Sequence, residues 1–241
     1  MKKTLKVLKI LYLLAELAIF AAFVYFDAKD QILLSNHVKY TGIAVNTLAL
    51  LVILGCKKKT AGAIYEKRNT WIVLALLLTL GADTFLILLD TNYFLGVCLF
   101  CLVETCYALY LLSRSIHKGR DICFRLAILA AAILIPARMD ILDALTAAAI
   151  YSMVMLTWNV IFSMGNWGRE RGRANCQLAW GLLLFWLCDA CVGLRNITDY
   201  IPKIPAIIPQ AAGTLIWIFY LPAQVLILLS LANRIYKKKK K

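Results

Sequence analysis

Eight apolar stretches, each near the length that crosses a bilayer, follow one another through 241 residues with short polar connections between them. A helix needs about 20 predominantly apolar residues to span the hydrocarbon core. The stretches cover residues 6–26, 40–56, 71–89, 93–112, 122–137, 141–164, 176–194 and 206–232. The fifth is short and rich in small residues. This succession predicts an all-α polytopic membrane protein of eight transmembrane helices, one domain over residues 1–236 with a polybasic tail at 237–241. With 62% hydrophobic and only 17% charged residues, the disordered, collagenous and ordinary soluble classes are excluded.

A formal net charge of +14 would, in a soluble protein, point to nucleic acid or another polyanion. Here its distribution points elsewhere. Lys2, Lys3, Lys6 and Lys9, then Lys57, Lys58, Lys59, Lys67 and Arg68, then Arg114, Lys118, Arg120 and Arg125, fall on alternate loops. Arg169, Arg171 and Arg173, and finally Arg234 with Lys237 to Lys241, continue the alternation, so that 22 of the 27 basic residues share one face. The opposite face carries Lys29, Lys39, Arg138, Arg195 and Lys203. Basic loops stay cytoplasmic, which predicts both termini inside and no nucleic-acid partner. The lysine tail reads as a topology determinant attracted to anionic membrane lipid, and its end also fits a dilysine retrieval address. A cell membrane in a bacterium, or the ER membrane in a eukaryote, is the expected location. The basic start and the apolar run ending at Ala21-Ala22-Phe23 resemble a signal peptide, but Glu16 interrupts the run and the alternation needs the segment as a retained helix. Asn196-Ile197-Thr198 is a formal glycosylation sequon on the outer face.

Four acids, Glu16, Asp83, Glu104 and Asp189, lie in the interior of the apolar spans, away from their ends. Ionisable groups at that depth are costly and by default mark a site or pathway. Asp83 and Asp189 stand on two outward-running spans, 12 residues after Trp71 and 13 after Cys176, which places both roughly 18–20 Å up their helices. The inward-running spans that follow carry Glu104 with Tyr107 and Tyr220 with Gln224, pairs spaced to share a helix face. Pro222 between the latter two frees a carbonyl and predicts a kink, with Pro205 and Pro209 opening the helix irregularly. Freed backbone groups at membrane depth persist only against protein or a wet cavity, so an internal cavity reaching the outer leaflet is expected. An Asp on an outward helix, a polar pair on the next and an ending in Leu-Leu-Ser occur in both halves, which suggests a parallel four-plus-four repeat. Glu16 reads as a packing or interhelical hydrogen-bonding residue, and Asn46 and Asn159 as helix–helix glue.

Eight cysteines include two C-x-x-C pairs, Cys98 with Cys101 and Cys188 with Cys191. Zinc sites of that type sit on loops, whereas these lie within spans, where free cysteine behaves as a small hydrophobe. No metal and no cofactor are expected.

The run Gly81-Ala82-Asp83-Thr84-Phe85-Leu86, the following Phe94-Leu95-Gly96, Phe100 to Tyr107, Gly181 to Gly193 with Asp189, and Tyr220-Leu221-Pro222-Ala223-Gln224 resemble the YhhN-like lysoplasmalogenase family. The resemblance covers spans three, four, seven and eight, with Cys188 where serine is common and Glu104 where histidine is usual. It implies an integral membrane hydrolase that cleaves the vinyl ether of lysoplasmalogens, a lysophospholipid-type substrate, with Asp83 and Asp189 as the catalytic residues. Independently, vinyl ether hydrolysis needs a positioned acid and a stabilising anion, which two carboxyls in a low-dielectric site can supply. Glu104, Tyr107, Tyr220 and Gln224 are candidates to bind water or the substrate's glycerol portion, and Arg195 and Lys203 to bind its phosphate. The same buried acids would equally serve a proton-coupled small-molecule or lipid transporter, and a non-catalytic scaffold would leave the acids without a role.

Overall fold

The structure, a computed structural model, describes residues 2–58, 68–115, 118–138, 142–196, 205 and 207–237. Lys59, Glu66, Lys67, His117, Asp140, Ile197, Thr198, Asp199, Lys203 and Lys238 to Lys241 lie outside the described residues, and with them the expectations placed on these lysines and on the sequon. Among the described residues eight α-helices make up the fold: α1 (Lys2–Ala28), α2 (Ile32–Lys58), α3 (Asn69–Asp83), α4 (Tyr93–Leu112), α5 (Lys118–Arg138), α6 (Ala144–Arg169), α7 (Arg173–Asn196) and α8 (Ile207–Lys237). Among the described residues there is no strand. The long apolar runs fold this way because, in lipid, a helix satisfies its own backbone donors and acceptors.

Seven of the helices are long and apolar enough to cross a membrane, and the protein is an integral multi-pass membrane protein. Large apolar side chains such as Leu11, Leu14 and Leu17 of α1 and Leu126 and Leu134 of α5 stay exposed on the outer surface of the bundle, where lipid replaces water. The eighth helix, α5, falls short by composition. Lys118, Arg120, Asp121 and Arg125 crowd its start and Arg138 its end, so every 18-residue stretch of it holds at least three charges. Its neighbours nevertheless fix its course. Cys101 Sγ meets the Ala148 carbonyl at 3.3 Å and Thr105 meets Tyr151 at 2.6 Å, so α4 and α6 run in the same direction. The chain between them must return, and α5 does so antiparallel to α6, with Phe124 stacked on Trp158.

Two hairpins form the tightest part of the bundle, α7 with α8 and α3 with α4. At Gly181 an added Cβ would stand 2.8 Å from Ile227 Cγ1 and 3.2 Å from the Ala223 carbonyl oxygen. Only glycine lets α7 and α8 approach this closely. Gly96 has the same role on α4, where a Cβ would overlap Leu86 at 2.5 Å. Leu86 belongs to a π-helical turn, Thr84–Leu88, that ends α3 directly after Asp83. Asp90 and Asn92, in the left-handed region at φ 48° and 51°, reverse the chain into α4, a conformation Asp and Asn adopt more readily than other side-chain-bearing residues.

Two expectations are corrected in detail. Lys39 and Arg125 are not loop cations. Each lies within a helix and is buried: α2 begins at Ile32, several residues before its apolar run, and Arg125, counted with the preceding loop although the run from residue 122 includes it, is the eighth residue of α5. Pro209 does not disturb the start of α8: it is the third residue of the helix, where the backbone N–H has no intrahelical acceptor to lose. Pro222 lies inside α8, which continues through it. At the basic end of the bundle, Asn175 accepts from Arg114 at 3.2 Å and Arg234 at 2.9 Å, and Arg114 is paired with Glu170, tying α4, α7 and α8 together.

Candidate functional site

Asp83 is the last residue of α3 before the π-turn, 14 residues from the helix start, and Asp189 is 16 residues into α7. At about 1.5 Å per residue the two stand about 21 and 24 Å along helices that run the same way. Asp83 is 2% exposed and accepts a hydrogen bond from the Tyr220 hydroxyl at 2.6 Å, which joins α3 to α8. Cys188 lies within electrostatic reach of both Asp83 and Asp189. Asp189 itself is half-buried and has no hydrogen-bond partner among the described residues.

Glu104 of α4 is fully buried and lies within electrostatic reach of Asp189. Its Oε2 accepts from Asn159 Nδ2 at 3.0 Å, while Oε1 has no protein partner. One turn on, the Tyr107 hydroxyl is also buried without a partner, and so are both amide atoms of Gln224. Tyr107 is electrostatically coupled to Glu104 and to Tyr220. Buried polar atoms in native proteins are almost always satisfied, and an unpaired group at this depth is expensive. Four bare polar atoms on neighbouring faces of α4 and α8 therefore mark a place that receives water or a polar ligand.

Aromatic rings wall the cluster. Tyr220 packs edge-on against Trp217, with ring centroids 5.4 Å apart, and tilts against Phe185 at 5.6 Å. Beyond Trp217 lies Lys39, whose Nζ sits 5.4 Å from the indole centroid and donates to Asp27 at 2.9 Å. Ser35 also donates to Asp27, at 2.5 Å. This buried ion pair caps the layer between α1, α2 and α8.

Six of the eight sequence candidates, Asp83, Asp189, Glu104, Tyr107, Tyr220 and Gln224, thus fall into one layer on α3, α4, α7 and α8, and Lys203 is outside the described residues. Arg195 does not join them. It is exposed at the end of α7, its side chain lying across the backbone of Gly213 of α8. Glu16 is buried on another side of α8. It faces α2 at Gly42, where a Cβ would lie 3.6 Å from its Oε2 and 2.9 Å from Leu221. Tyr12, one turn before it, donates to Asn46 at 2.7 Å. The expected open cavity is replaced by close packing around Asp83, Glu104, Tyr107 and Gln224, with only Asp189 of the acids in the cluster partly accessible.

Arg125 was missed by sequence reasoning, which placed it on a loop. It gives Nη1 to Asn159 Oδ1 at 3.0 Å, so Asn159 is more than glue: it connects a buried guanidinium to a buried carboxyl. The position of Arg125 four residues after Asp121, inside the apolar run that starts at residue 122, was the available signal. Among the described residues no group of three or more His, Cys, Asp and Glu side chains could hold a metal ion.

The model of the YhhN family matches residues 38–231, more than two thirds of the chain, and the chain belongs to that family, which includes lysoplasmalogenases. No curated protein and no solved structure matches it. The matched region contains every residue of the acid cluster and leaves out the whole of α1.

Proposed function

We propose that this member of the YhhN family is an integral membrane lipid hydrolase of the lysoplasmalogenase type. It cleaves the vinyl ether of a lysoplasmalogen to a fatty aldehyde and a glycerophosphoethanolamine or glycerophosphocholine. The observation that carries the reading is the buried Asp83, bonded to Tyr220, with Cys188 of α7 in reach both of it and of a second, partly accessible acid, Asp189. Hydrolysis of a vinyl ether begins with protonation of carbon. Asp189, partly accessible and without a hydrogen-bond partner among the described residues, serves as the acid: its O–H bond breaks as a C–H bond forms at the β-carbon, and the C=C electrons are drawn into that bond. The resulting oxocarbenium ion is steadied by the carboxylate of Asp83, whose charge the Tyr220 hydroxyl supports by donating to it. Water attacks the cationic carbon, its proton returns to the carboxylate pair, and the hemiacetal collapses to aldehyde and alcohol.

Glu104, Tyr107 and Gln224, with bare polar atoms, orient that water and the glycerol hydroxyl. Arg195, exposed at the outer end of α7, takes the phosphate. The alkyl chain lies among the aromatic and leucine faces. In this reading α5 is the eighth crossing, since it returns between two parallel spans, and both termini lie on the basic, cytoplasmic side. Its charged start then lies at the membrane surface. The α3–α4 and α7–α8 hairpins, each with its Asp on the first helix, are the cores of a parallel repeat.

The test is direct. Purified protein given lysoplasmalogen should release aldehyde, and Asp83→Asn and Asp189→Asn should each slow release by about 100-fold or more. Full turnover in both variants would sink the catalytic assignment. Uptake of unchanged substrate into sealed vesicles, without aldehyde, would replace the hydrolase with a proton-coupled transporter.

A further inference from the structure

Arg125 is the eighth residue of α5, 4% exposed, with its guanidinium 5.7 Å from the Phe162 ring centroid. Nη1 reaches Asn159 Oδ1 at 3.0 Å, and Nε and Nη2 are buried without a partner among the described residues. A guanidinium only donates hydrogen bonds and keeps its charge. The atom of Asn159 that faces it must therefore be the carbonyl oxygen, and the amide nitrogen must point the opposite way. There Nδ2 reaches two atoms of Glu104, the backbone oxygen and Oε2, each at 3.0 Å. Chemistry thus fixes the amide orientation that side-chain shape alone would leave ambiguous.

The consequence falls on Glu104. Nδ2 can only donate, and the oxygen of a carboxylic acid that accepts well is its carbonyl oxygen, so the hydroxyl belongs on the other one. We infer that Arg125 and Asn159 are positioning residues that lock the Glu104 carboxyl, so that the proton it carries sits on Oε1, the buried oxygen with no protein partner. Glu104 is faced by Asp189 from α7, by Arg125 from α5 and by Tyr107, Cys101 and Cys106 of its own helix. The functional meaning rests on the hydrolase reading. When Asp189 gives its proton to the substrate carbon, the O–H bond at Glu104 Oε1 breaks and one forms on Asp189. The charge moves to Glu104, where the Asn159 N–H and the Arg125 cation support it.

Infrared spectroscopy of the purified protein tests the inference without substrate. The C=O stretch of protonated Glu104 is identified as the carboxyl band lost in Glu104→Gln. It should move to higher wavenumber in Asn159→Leu and Arg125→Met, which remove or release the donor to Oε2, and should stay in place in Arg125→Lys, which keeps a donor for Asn159. An unmoved band in Asn159→Leu overturns the inference, as does the absence of any Glu104-dependent carboxyl band across the pH range in which the protein is folded. Should Arg125→Met fail to fold, Asn159→Leu and Arg125→Lys still decide the matter. Aldehyde release is a separate readout: a shifted band in a protein that never releases aldehyde would refute the hydrolase and leave the locked carboxyl standing.

Discussion

The hydroxyl of Tyr220 donates to the carboxyl of Asp83 across 2.6 Å, between residues 137 positions apart in the chain. It ties the last helix to the third where both are sealed from solvent. Tyr220→Phe removes the donor while keeping the ring against Trp217 and Phe185, and leaves a buried carboxyl unsupported. A hydrogen bond to a charged group contributes about 1.5–3 kcal/mol, so aldehyde release should fall by about 10- to 100-fold. Thermal unfolding in detergent should show a smaller loss, since the ring packing remains.

Gly181 sets how closely α7 and α8 pack. Gly181→Ala puts a methyl group 2.8 Å from Ile227 Cγ1 and against the backbone of α8. Overpacking of this kind costs about 1–3 kcal/mol. The melting temperature should fall, and turnover should fall with it because Asp189 and Tyr220 sit on the two helices being forced apart. Gly165, with nothing near its missing side chain, is the control: Gly165→Ala should leave the melting temperature unchanged or higher.

Lys39 and Asp27 form an ion pair whose side chains are 8% and 26% exposed. Removing one partner of a buried pair strands the other's charge, whereas removing both can be nearly neutral. Lys39→Met alone should therefore destabilise the protein by about 2 kcal/mol, reduced from the fully buried case because Asp27 is partly accessible. The Lys39→Met, Asp27→Asn double variant should lose less than Lys39→Met. A double variant less stable than both single ones would show that the pair does not act as a unit.

Asp143 caps α6, accepting from the Thr146 backbone N–H at 2.6 Å. That bond holds its carboxyl below the ordinary value. A depressed acid contributes stability above its unfolded value and loses it as the pH falls through the folded one. Unfolding curves taken downward from pH 5 should show this loss in the wild type. Asp143→Asn caps without titrating, and its contribution should be independent of pH over the same window.

Much of this was legible in the chain. Asp83, Glu104 and Asp189 were conspicuous because an acid in an apolar run is rare, and helical spacing alone pairs Glu104 with Tyr107 and Tyr220 with Gln224. Tyr220 against Asp83 could not be read, since nothing in the spacing of two distant helices says which faces meet. Arg125 was misread for a related reason. It was counted as a loop charge, yet its burial depends on Asn159 and Phe162 of α6 lying opposite. Lys39 was misread in the same way.

The π-turn after Asp83 had no sequence signal at all, because Thr84 to Leu88 reads as ordinary apolar helix. Hydropathy determined the class and the helices of this protein, because transfer to lipid acts on each segment by itself. Which acid touches which phenol, and which asparagine connects an arginine to a glutamate, were decided only when α3, α4, α5, α6, α7 and α8 packed. Those contacts depend on the rotation of each helix about its own axis, and that rotation is set by the neighbours.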